Sequence, residues 1–298
     1  MLSRFVQPLR AAVAFLIIAV STVLHATPLL ALALFKLVLP LPAWRDRITA
    51  MLSAIGHSWI AVNSWLLQAV GTRTTVQQEG ELDRRGWYLV ICNHQSWADI
   101  PLLQQAFNTR IPLLKFFLKR ELIWVPLLGL AWWALDFPFM RRYTRAQLEK
   151  HPEWRGKDMQ ATRAACEKFR RIPVSVMNFV EGTRFTPAKH AQQGSPYRHL
   201  LLPRAGGTAF VLQAMGGLFQ ALVDVTLVYP GGRPSMYDLL AGRVREVRII
   251  VRQRPIPPEL LDGDYENDAA FRARFQEWLN ALWRDKDDCI GQQLARRG

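Results

Sequence analysis

Between Ala11 and Phe35 the chain has 25 consecutive residues without a formal charge, and this run constrains the fold more than any other feature. As an α-helix it is long enough to cross a hydrocarbon core of about 30 Å. Pro28 lies inside the run and disfavours helical geometry at the preceding residue, so one crossing helix and two shorter helices are both open. Because basic residues flank both ends, we favour a re-entrant hairpin with both ends in the cytoplasm.

A secretory signal peptide is the alternative interpretation of the same run, because Arg4 and Arg10 precede it. The apolar character resumes at Leu29 instead of stopping, which argues against that alternative. The semi-apolar segment from Ile48 to Val70 suits a helix that lies along a membrane or packs on the body of the protein. Residues 1–70 are therefore predicted to form an N-terminal two-helix membrane anchor.

The charge of the chain indicates an anionic partner. Lys and Arg number 38 against 24 Asp and Glu, which gives a net charge of +14 and a pI near 10.3. Nucleic acid, an anionic bilayer and a phosphorylated substrate all fit this balance. The three cysteines form no CxxC pair and the six histidines no HExxH motif, so we expect no metal site and no disulfide framework.

Beyond Gly71 the pattern is typical of an α/β domain over residues 71–298. The β-prone runs are Trp87 to Cys92, Ile111 to Leu118, Ala134 to Met140, Val174 to Val180, Val223 to Tyr229 and Val244 to Val251. The helical candidates are Thr144 to Arg171, Ala205 to Met215 and Ala269 to Trp283. Their alternation predicts a mixed, mainly parallel sheet covered by helices.

The first group of chemically active side chains follows the run WYLVIC and reads NHQSWADIP, from Asn93 to Pro101. In one continuous helix His94 and Asp99 would lie about 140° apart around the axis, so only a turn from strand to helix brings them together. Pro101 favours such a helix start, between Ser96 and Asp99. The carboxylate can then orient the imidazole as a general base. An ordinary capping box at Ser96 to Asp99 is the structural alternative.

The second group is Glu181-Gly182-Thr183-Arg184, directly after the run VSVMNFV. Loops that follow strands in α/β sheets are common ligand sites. Gly182 allows a close backbone approach, and the planar guanidinium of Arg184 suits a phosphate. A surface turn with a Glu/Arg ion pair is the structural alternative.

Together, NHQSWAD and EGTR resemble the NHxxxxD and phosphate-binding boxes of the glycerolipid acyltransferase family, which includes lysophosphatidic acid acyltransferases. The resemblance spans about residues 86–229 and implies catalysis by His94 and Asp99, with acceptor binding by Glu181, Gly182, Thr183 and Arg184. Lys119, in a segment similar to the family's KxEL, and Arg141, after Phe137 to Met140, inherit phosphate-binding roles. The final block, Leu222 to Thr226, has Asp224 where many bacterial members have proline, which resembles the subgroup related to lysocardiolipin acyltransferases and some animal lysophosphatidic acid acyltransferases.

The resemblance implies an O-acyltransferase that moves a fatty acyl group from acyl-CoA or acyl carrier protein, as co-substrate, to a lysophospholipid hydroxyl. 1-Acylglycerol-3-phosphate is the favoured acceptor; another lysophospholipid or lysocardiolipin is the alternative. No cofactor and no acyl-enzyme intermediate are expected. The protein is expected to act at a membrane, with its catalytic domain on the cytoplasmic face. For a bacterial source, that membrane is the inner membrane. A hydrolase and a membrane-tethered nucleic-acid-binding protein are the rival classes, although no nucleic-acid motif is present.

Overall fold

A computed structural model of the chain describes residues 2–38, 42–140 and 172–296, together with six single residues between 150 and 170. Arg141 and most of the predicted helix from Thr144 to Arg171 lie outside the described residues. The division into residues 1–70 and 71–298 stays a prediction.

Two long helices open the chain, α1 (Leu2–Val38) and α2 (Pro42–Ala69), and they pack against each other. Helix α1 continues through Pro28, so of the two alternatives the single long helix is the one that forms. A hydrogen bond from Trp59 Nε1 to Thr22 Oγ1, 3.1 Å long, joins the two helices. Of the described helices, α1 is the one long and apolar enough to cross a membrane by length and composition.

The main sheet has six strands, in the order β1, β8, β7, β2, β6, β3. Only the β7–β8 pair is antiparallel; the other four pairings of this sheet are parallel. The predicted mixed, mainly parallel sheet is therefore confirmed. The strands are β1 (Arg73–Glu79), β2 (Tyr88–Cys92), β3 (Leu114–Phe116), β6 (Ser175–Phe179), β7 (Ala221–Val228) and β8 (Glu246–Arg254), and a separate pair consists of β4 (Leu118–Lys119) and β5 (Phe139–Met140).

Helices cover both faces of the sheet. The remaining described α-helices are α3 (Asp99–Phe107), α4 (Leu128–Ala134), α5 (Pro187–Gln193), α6 (Ala205–Met215), α7 (Met236–Leu240) and α8 (Ala269–Ala295). Alternate residues of a strand point to opposite faces. In β2, Val90 therefore packs in the core formed with α1 to α4, whereas Leu89 and Ile91 pack in the core formed with α6 and α8. All five residues of β2 are buried, which explains its continuous apolar run.

The predicted strands differ from the observed ones at the margins of the sheet. The prediction of a strand from Ala134 to Met140 is largely wrong, because Ala134 ends α4 and only Phe139 and Met140 are extended. The run from Ile111 to Leu118 gives only the three residues of β3 and the start of β4. Strand β1 was not predicted, since it is a mostly exposed polar edge strand. Helix α6 has the predicted bounds, and α8 extends beyond Trp283.

The strand β7 contains the unusual Asp224, which points toward helix α8. Lys286 of α8 is fully buried and donates to Asp224 Oδ1 at 2.5 Å and to the Val225 carbonyl at 2.6 Å. Arg254 of β8 lies 3.2 Å from the other carboxylate oxygen. The buried charge of Asp224 is therefore matched by a lysine of α8 and an arginine of β8.

Candidate active site

The first motif starts where β2 ends, at the carboxyl edge of the sheet. Asn93 is fully buried and forms two hydrogen bonds of 2.9 Å with the backbone of Leu227 in β7, one as donor and one as acceptor. This pairing satisfies buried backbone groups where the chain leaves the sheet. Asn93 thereby fixes the exit of the chain from β2, and His94 follows it directly.

His94 and Asp99 meet as the spacing predicts, because α3 begins at Asp99. The Asp99 side chain is fully buried, and its Oδ2 accepts from His94 Nδ1 at 2.8 Å. The backbone N–H groups of Gln95 and Ser96 donate to the same oxygen at 2.6 and 2.9 Å. Because a carboxylate only accepts hydrogen bonds, Nδ1 of His94 is the donor, and in the neutral imidazole the lone pair therefore lies on Nε2.

The end of β6 and the loop after it hold His94 from the other side. The Phe179 ring stacks on the imidazole, with centroids 3.9 Å apart and planes 12° from parallel. The His94 carbonyl accepts from the Phe185 N–H at 2.8 Å, and the His94 N–H donates to Glu181 Oε1 at 3.4 Å. The ring and backbone of His94 are both fixed, so the EGTR loop and the NHQSWAD loop form one site.

Glu181 supports this arrangement from below the surface. The structure buries it completely, whereas the family resemblance led us to expect a substrate contact. Its carboxyl accepts from the backbone of His94 and Leu201, and among the described residues its Oε2 has no hydrogen-bond partner. Burial raises the pKa of Glu181 to about 8. At neutral pH the group is therefore largely protonated and uncharged.

Tyr229 is a member of the site that the sequence did not reveal. It follows β7, and its hydroxyl donates to Asp99 Oδ1 at 2.7 Å. Burial, together with the charge of Asp99, raises the pKa of Tyr229 well above its usual value, so the phenol stays protonated and keeps donating. Its position at the carboxyl end of a strand parallel to β2 was the available signal, but the partner lies 130 residues away.

The other EGTR residues lie at the rim of the site. Gly182 has φ +68°, a left-handed conformation that favours glycine, and a Cβ there would press on the side chain of Arg204. Arg184 lies over the ring of Trp97, 4.4 Å from its centroid, which joins the two motifs again. Lys189, which sequence reasoning missed, donates to Thr183 Oγ1 at 2.6 Å. Two cations thus flank the loop.

Lys119 belongs to β4, three residues beyond the end of β3. Strands β3, β6, β2 and β7 run in the same direction, so the segments that follow them meet at one edge of the sheet. Lys119 is exposed and follows the carboxyl end of β3. No geometry is described for Arg141, and its role stays a prediction.

Alternative nucleophiles near the dyad are restrained by their surroundings. Cys92 is fully buried, and burial raises the pKa of its thiol, which disfavours the reactive thiolate. Ser96 is buried too; its hydroxyl donates to the Pro234 carbonyl and accepts from the Ala98 N–H at 3.0 Å. Among the described residues no three His, Cys, Asp or Glu side chains are grouped to hold a metal.

Comparisons with known proteins agree with this geometry. The family model Acyltransferase matches residues 73–231. The mouse and human 1-acyl-sn-glycerol-3-phosphate acyltransferases gamma are 32% and 30% identical to the chain over 184 residues, which are 58% of the chain and 44% of each relative. The human delta enzyme is 27% identical over 213 residues, 67% of the chain and 51% of that protein. The chain spans about half the length of these curated relatives.

Among solved structures, the 1-acyl-sn-glycerophosphate (LPA) acyltransferase PlsC from Thermotoga maritima has the same fold, with a TM-score of 0.57 and 16% sequence identity. That match covers 99% of both chains, so it includes the N-terminal helices as well as the sheet. The family match contains both motifs, and both meet at the carboxyl edge of the sheet. The chain belongs to the acyltransferase family.

Proposed function

We propose that this protein transfers a fatty acyl group from a thioester to the hydroxyl of a lysophospholipid, with 1-acylglycerol-3-phosphate as the favoured acceptor. The observation that carries the proposal is the 2.8 Å contact between His94 Nδ1 and the buried Asp99 carboxylate. This contact leaves Nε2 of a half-buried imidazole as the available base. The relatives named above act on 1-acyl-sn-glycerol-3-phosphate by their names, which supports the choice of acceptor.

In the proposed reaction His94 Nε2 takes the proton of the acceptor hydroxyl as its oxygen attacks the thioester carbonyl carbon. A new carbon–oxygen bond forms, the carbon–sulfur bond breaks, and the thiolate leaves and receives the proton from the imidazolium. Asp99 stabilises that imidazolium, and the Phe179 ring keeps its plane fixed. No acyl-enzyme is needed, in keeping with the buried Cys92 and Ser96.

In this proposal, positively charged side chains at the rim of the site bind the acceptor phosphate. Arg184 and Lys189 flank the EGTR loop, and among the described residues neither has an acidic side chain at ion-pair distance. Lys119, exposed beyond the carboxyl end of β3, adds a third positive charge. A phosphate bound by charge-assisted hydrogen bonds there holds its glycerol hydroxyl near His94.

A bilayer is the proposed surface on which the reaction takes place, with the catalytic part on the cytoplasmic side. Helix α1 exposes large apolar side chains, and beside it α4 and the preceding turn expose Trp124, Leu130 and Trp133, of which Trp124 is 85% accessible. Contiguous exposed apolar side chains mark membrane or protein contacts, and tryptophan suits the membrane–water interface. Flotation of the protein with phospholipid vesicles tests binding to the bilayer. Protein that stays in the dense, vesicle-free fraction of the gradient would contradict it.

The test of the proposed function is transfer of labelled oleoyl from coenzyme A, and separately from acyl carrier protein, to a panel of lysophospholipids by detergent-purified protein. His94→Ala serves as the control for the site. Transfer to lysophosphatidic acid that His94→Ala abolishes supports the proposal, and transfer only to another lysolipid changes the acceptor. Release of free fatty acid alone would identify a hydrolase. No product from any pair of substrates, with folded protein, would contradict the proposal.

A further inference from the structure

Arg233 lies next to the dyad on a loop that neither motif includes. This loop, Pro230 to Pro234, directly follows β7 and Tyr229. The guanidinium of Arg233 lies over the Phe185 ring, 3.6 Å from its centroid, and its Nε donates to Gln95 Oε1 at 2.5 Å. Gln95 adjoins His94 and Phe185 adjoins Arg184, so the side chain of Arg233 bridges the two motifs.

The loop that carries Arg233 is fastened to the active site at both ends. Before it, the Tyr229 hydroxyl bonds Asp99; at its end, the Pro234 carbonyl accepts from Ser96 Oγ. Gly232 has φ +90°, a conformation that L side chains rarely adopt, so the turn depends on glycine. The position of the guanidinium is therefore set by the same residues that set the dyad.

A cavity of about 220 Å³ opens beside this guanidinium, several times the roughly 30 Å³ that one water occupies in the liquid. Gln95, His199, Tyr229 and Arg233 line its polar part, and Ile290 and Leu294 of α8 are among its apolar walls. Gln95 Nε2 also donates to the His199 carbonyl at 3.3 Å, which closes one side. The cavity is large enough for a phosphate group.

The charge of Arg233 has no fixed partner. Among the described residues no carboxylate lies at ion-pair distance from it, whereas Arg243 and Arg254 are both paired with aspartates. Partial burial lowers the pKa of Arg233, although a guanidinium remains charged at neutral pH. The negative charge of Glu181 would raise the pKa of Arg233. Glu181 has a pKa of about 8, however, and is largely neutral at pH 7. The cavity therefore presents an uncompensated positive charge.

We propose that Arg233 binds a phosphate group of one of the two substrates, in the cavity beside Gln95 and His199. The assignment rests on the proposed acyl transfer and adds a binding residue to it. The Gln95 contact uses Nε, so both terminal nitrogens can take two phosphate oxygens in a bidentate arrangement. The phosphate belongs either to the lysophospholipid or to the coenzyme A or phosphopantetheine part of the donor.

The test compares Arg233→Ala and Arg233→Lys with wild type by steady-state kinetics. Loss of a charge-assisted hydrogen bond raises the KM of the phosphate-bearing substrate by roughly 10- to 100-fold in Arg233→Ala, and by less in Arg233→Lys. Arg243→Ala is the matched control, because Arg243 also lies over an aromatic ring, that of Tyr237 at 5.0 Å, but is paired with Asp238. Its KM values stay at the wild-type level.

Substrates that lack a phosphate identify which of the two substrates supplies the phosphate that Arg233 binds. If the penalty of Arg233→Ala disappears with an acyl-pantetheine donor, the donor phosphate is bound; if it disappears with a monoacylglycerol acceptor, the acceptor phosphate is bound. Either result supports the proposal. Unchanged KM for both substrates in Arg233→Ala would overturn it while leaving the proposed acyl transfer intact.

Equilibrium binding of coenzyme A and of glycerol 3-phosphate, without turnover, separates this inference from the proposed function. Weaker binding of either probe to Arg233→Ala than to wild type supports the phosphate site even if no acyl transfer is found. Equal binding of each probe to both proteins, or no binding to wild type, would overturn it.

Discussion

Asp99 and Asp224 are both buried aspartates of the same domain, yet their surroundings differ. Asp224 is matched by two cations, Lys286 at 2.5 Å and Arg254 at 3.2 Å. Asp99 is held by a phenol, two backbone N–H groups and His94, which carries a charge only when protonated. The first aspartate has its counter-charge permanently, and the second receives one only when His94 accepts a proton.

These two aspartates show one fold using buried charge for two purposes. A buried ion pair with complete partners ties elements together, and here it joins α8 to β7 across the sheet face. A buried carboxylate with neutral donors lowers the free energy of the imidazolium that forms in the proposed reaction. Substitutions at Asp224 should therefore change stability, and substitutions around Asp99 should change turnover.

The largest effect on stability is expected for Lys286→Met. The variant leaves Asp224 buried beside Arg254 alone, which costs about 3–5 kcal/mol of unfolding free energy. Thermal unfolding in detergent measures it, with Arg284→Met as the control on the same helix, since Arg284 and Glu277 form an exposed pair and its loss changes little. Combining Lys286→Met with Asp224→Leu should recover part of the loss. Equal melting of Lys286→Met and wild type would show that the pair adds no stability.

A smaller effect, on turnover, is expected for Tyr229→Phe. Removing the hydroxyl takes one donor from Asp99 and lowers kcat roughly 10-fold with little change in KM. Tyr88→Phe is the matched control, because Tyr88 is buried at the opposite end of β2 and its hydroxyl accepts from the Asp83 N–H at 2.8 Å. An equal loss of kcat in both variants would point to general destabilisation instead of a role through Asp99.

The effect expected for Glu181→Gln is on stability and depends on pH. A carboxyl group whose pKa rises from 4.5 to about 8 on folding binds its proton more tightly in the folded chain. This tighter proton binding stabilises the fold fully below pH 4.5, and the stabilisation is lost as the pH rises toward 8. The free energy of unfolding then falls by at most about 1.4 kcal/mol per pH unit. Glu181→Gln should lack this component when unfolding is measured from pH 5 to 8. Parallel pH profiles for the variant and wild type would contradict the raised pKa.

The dyad was predictable because it is local. His94 and Asp99 are five residues apart, and Pro101 indicates where the helix begins. The central strands were predictable for a related reason, since burial on both faces gives continuous apolar runs such as that of β2. The polar edge strand β1 has no such run and was missed.

The long-range members of the site could not be read from spacing. Tyr229 reaches Asp99 only because β7 pairs in parallel with β2, and Arg233 reaches Gln95 across 138 residues of sequence. The burial of Glu181 depends on how the loop after β6 folds back under His94. Asp224 was recognised as unusual, but its partner Lys286 lies in a helix for which the sequence suggested no role.

The most direct test of the His94–Asp99 pair compares the rate of acyl transfer by Asp99→Asn and by Asp224→Asn, with folding of both verified by their melting temperatures. We expect Asp99→Asn to lower kcat by roughly 10²- to 10⁴-fold with modest loss of stability, since it removes the carboxylate that orients His94 and stabilises its imidazolium. Asp224→Asn should lower the melting temperature and leave kcat of the folded protein near wild type. A folded Asp99→Asn protein with the wild-type kcat would contradict the assignment of His94 and Asp99 as the catalytic pair.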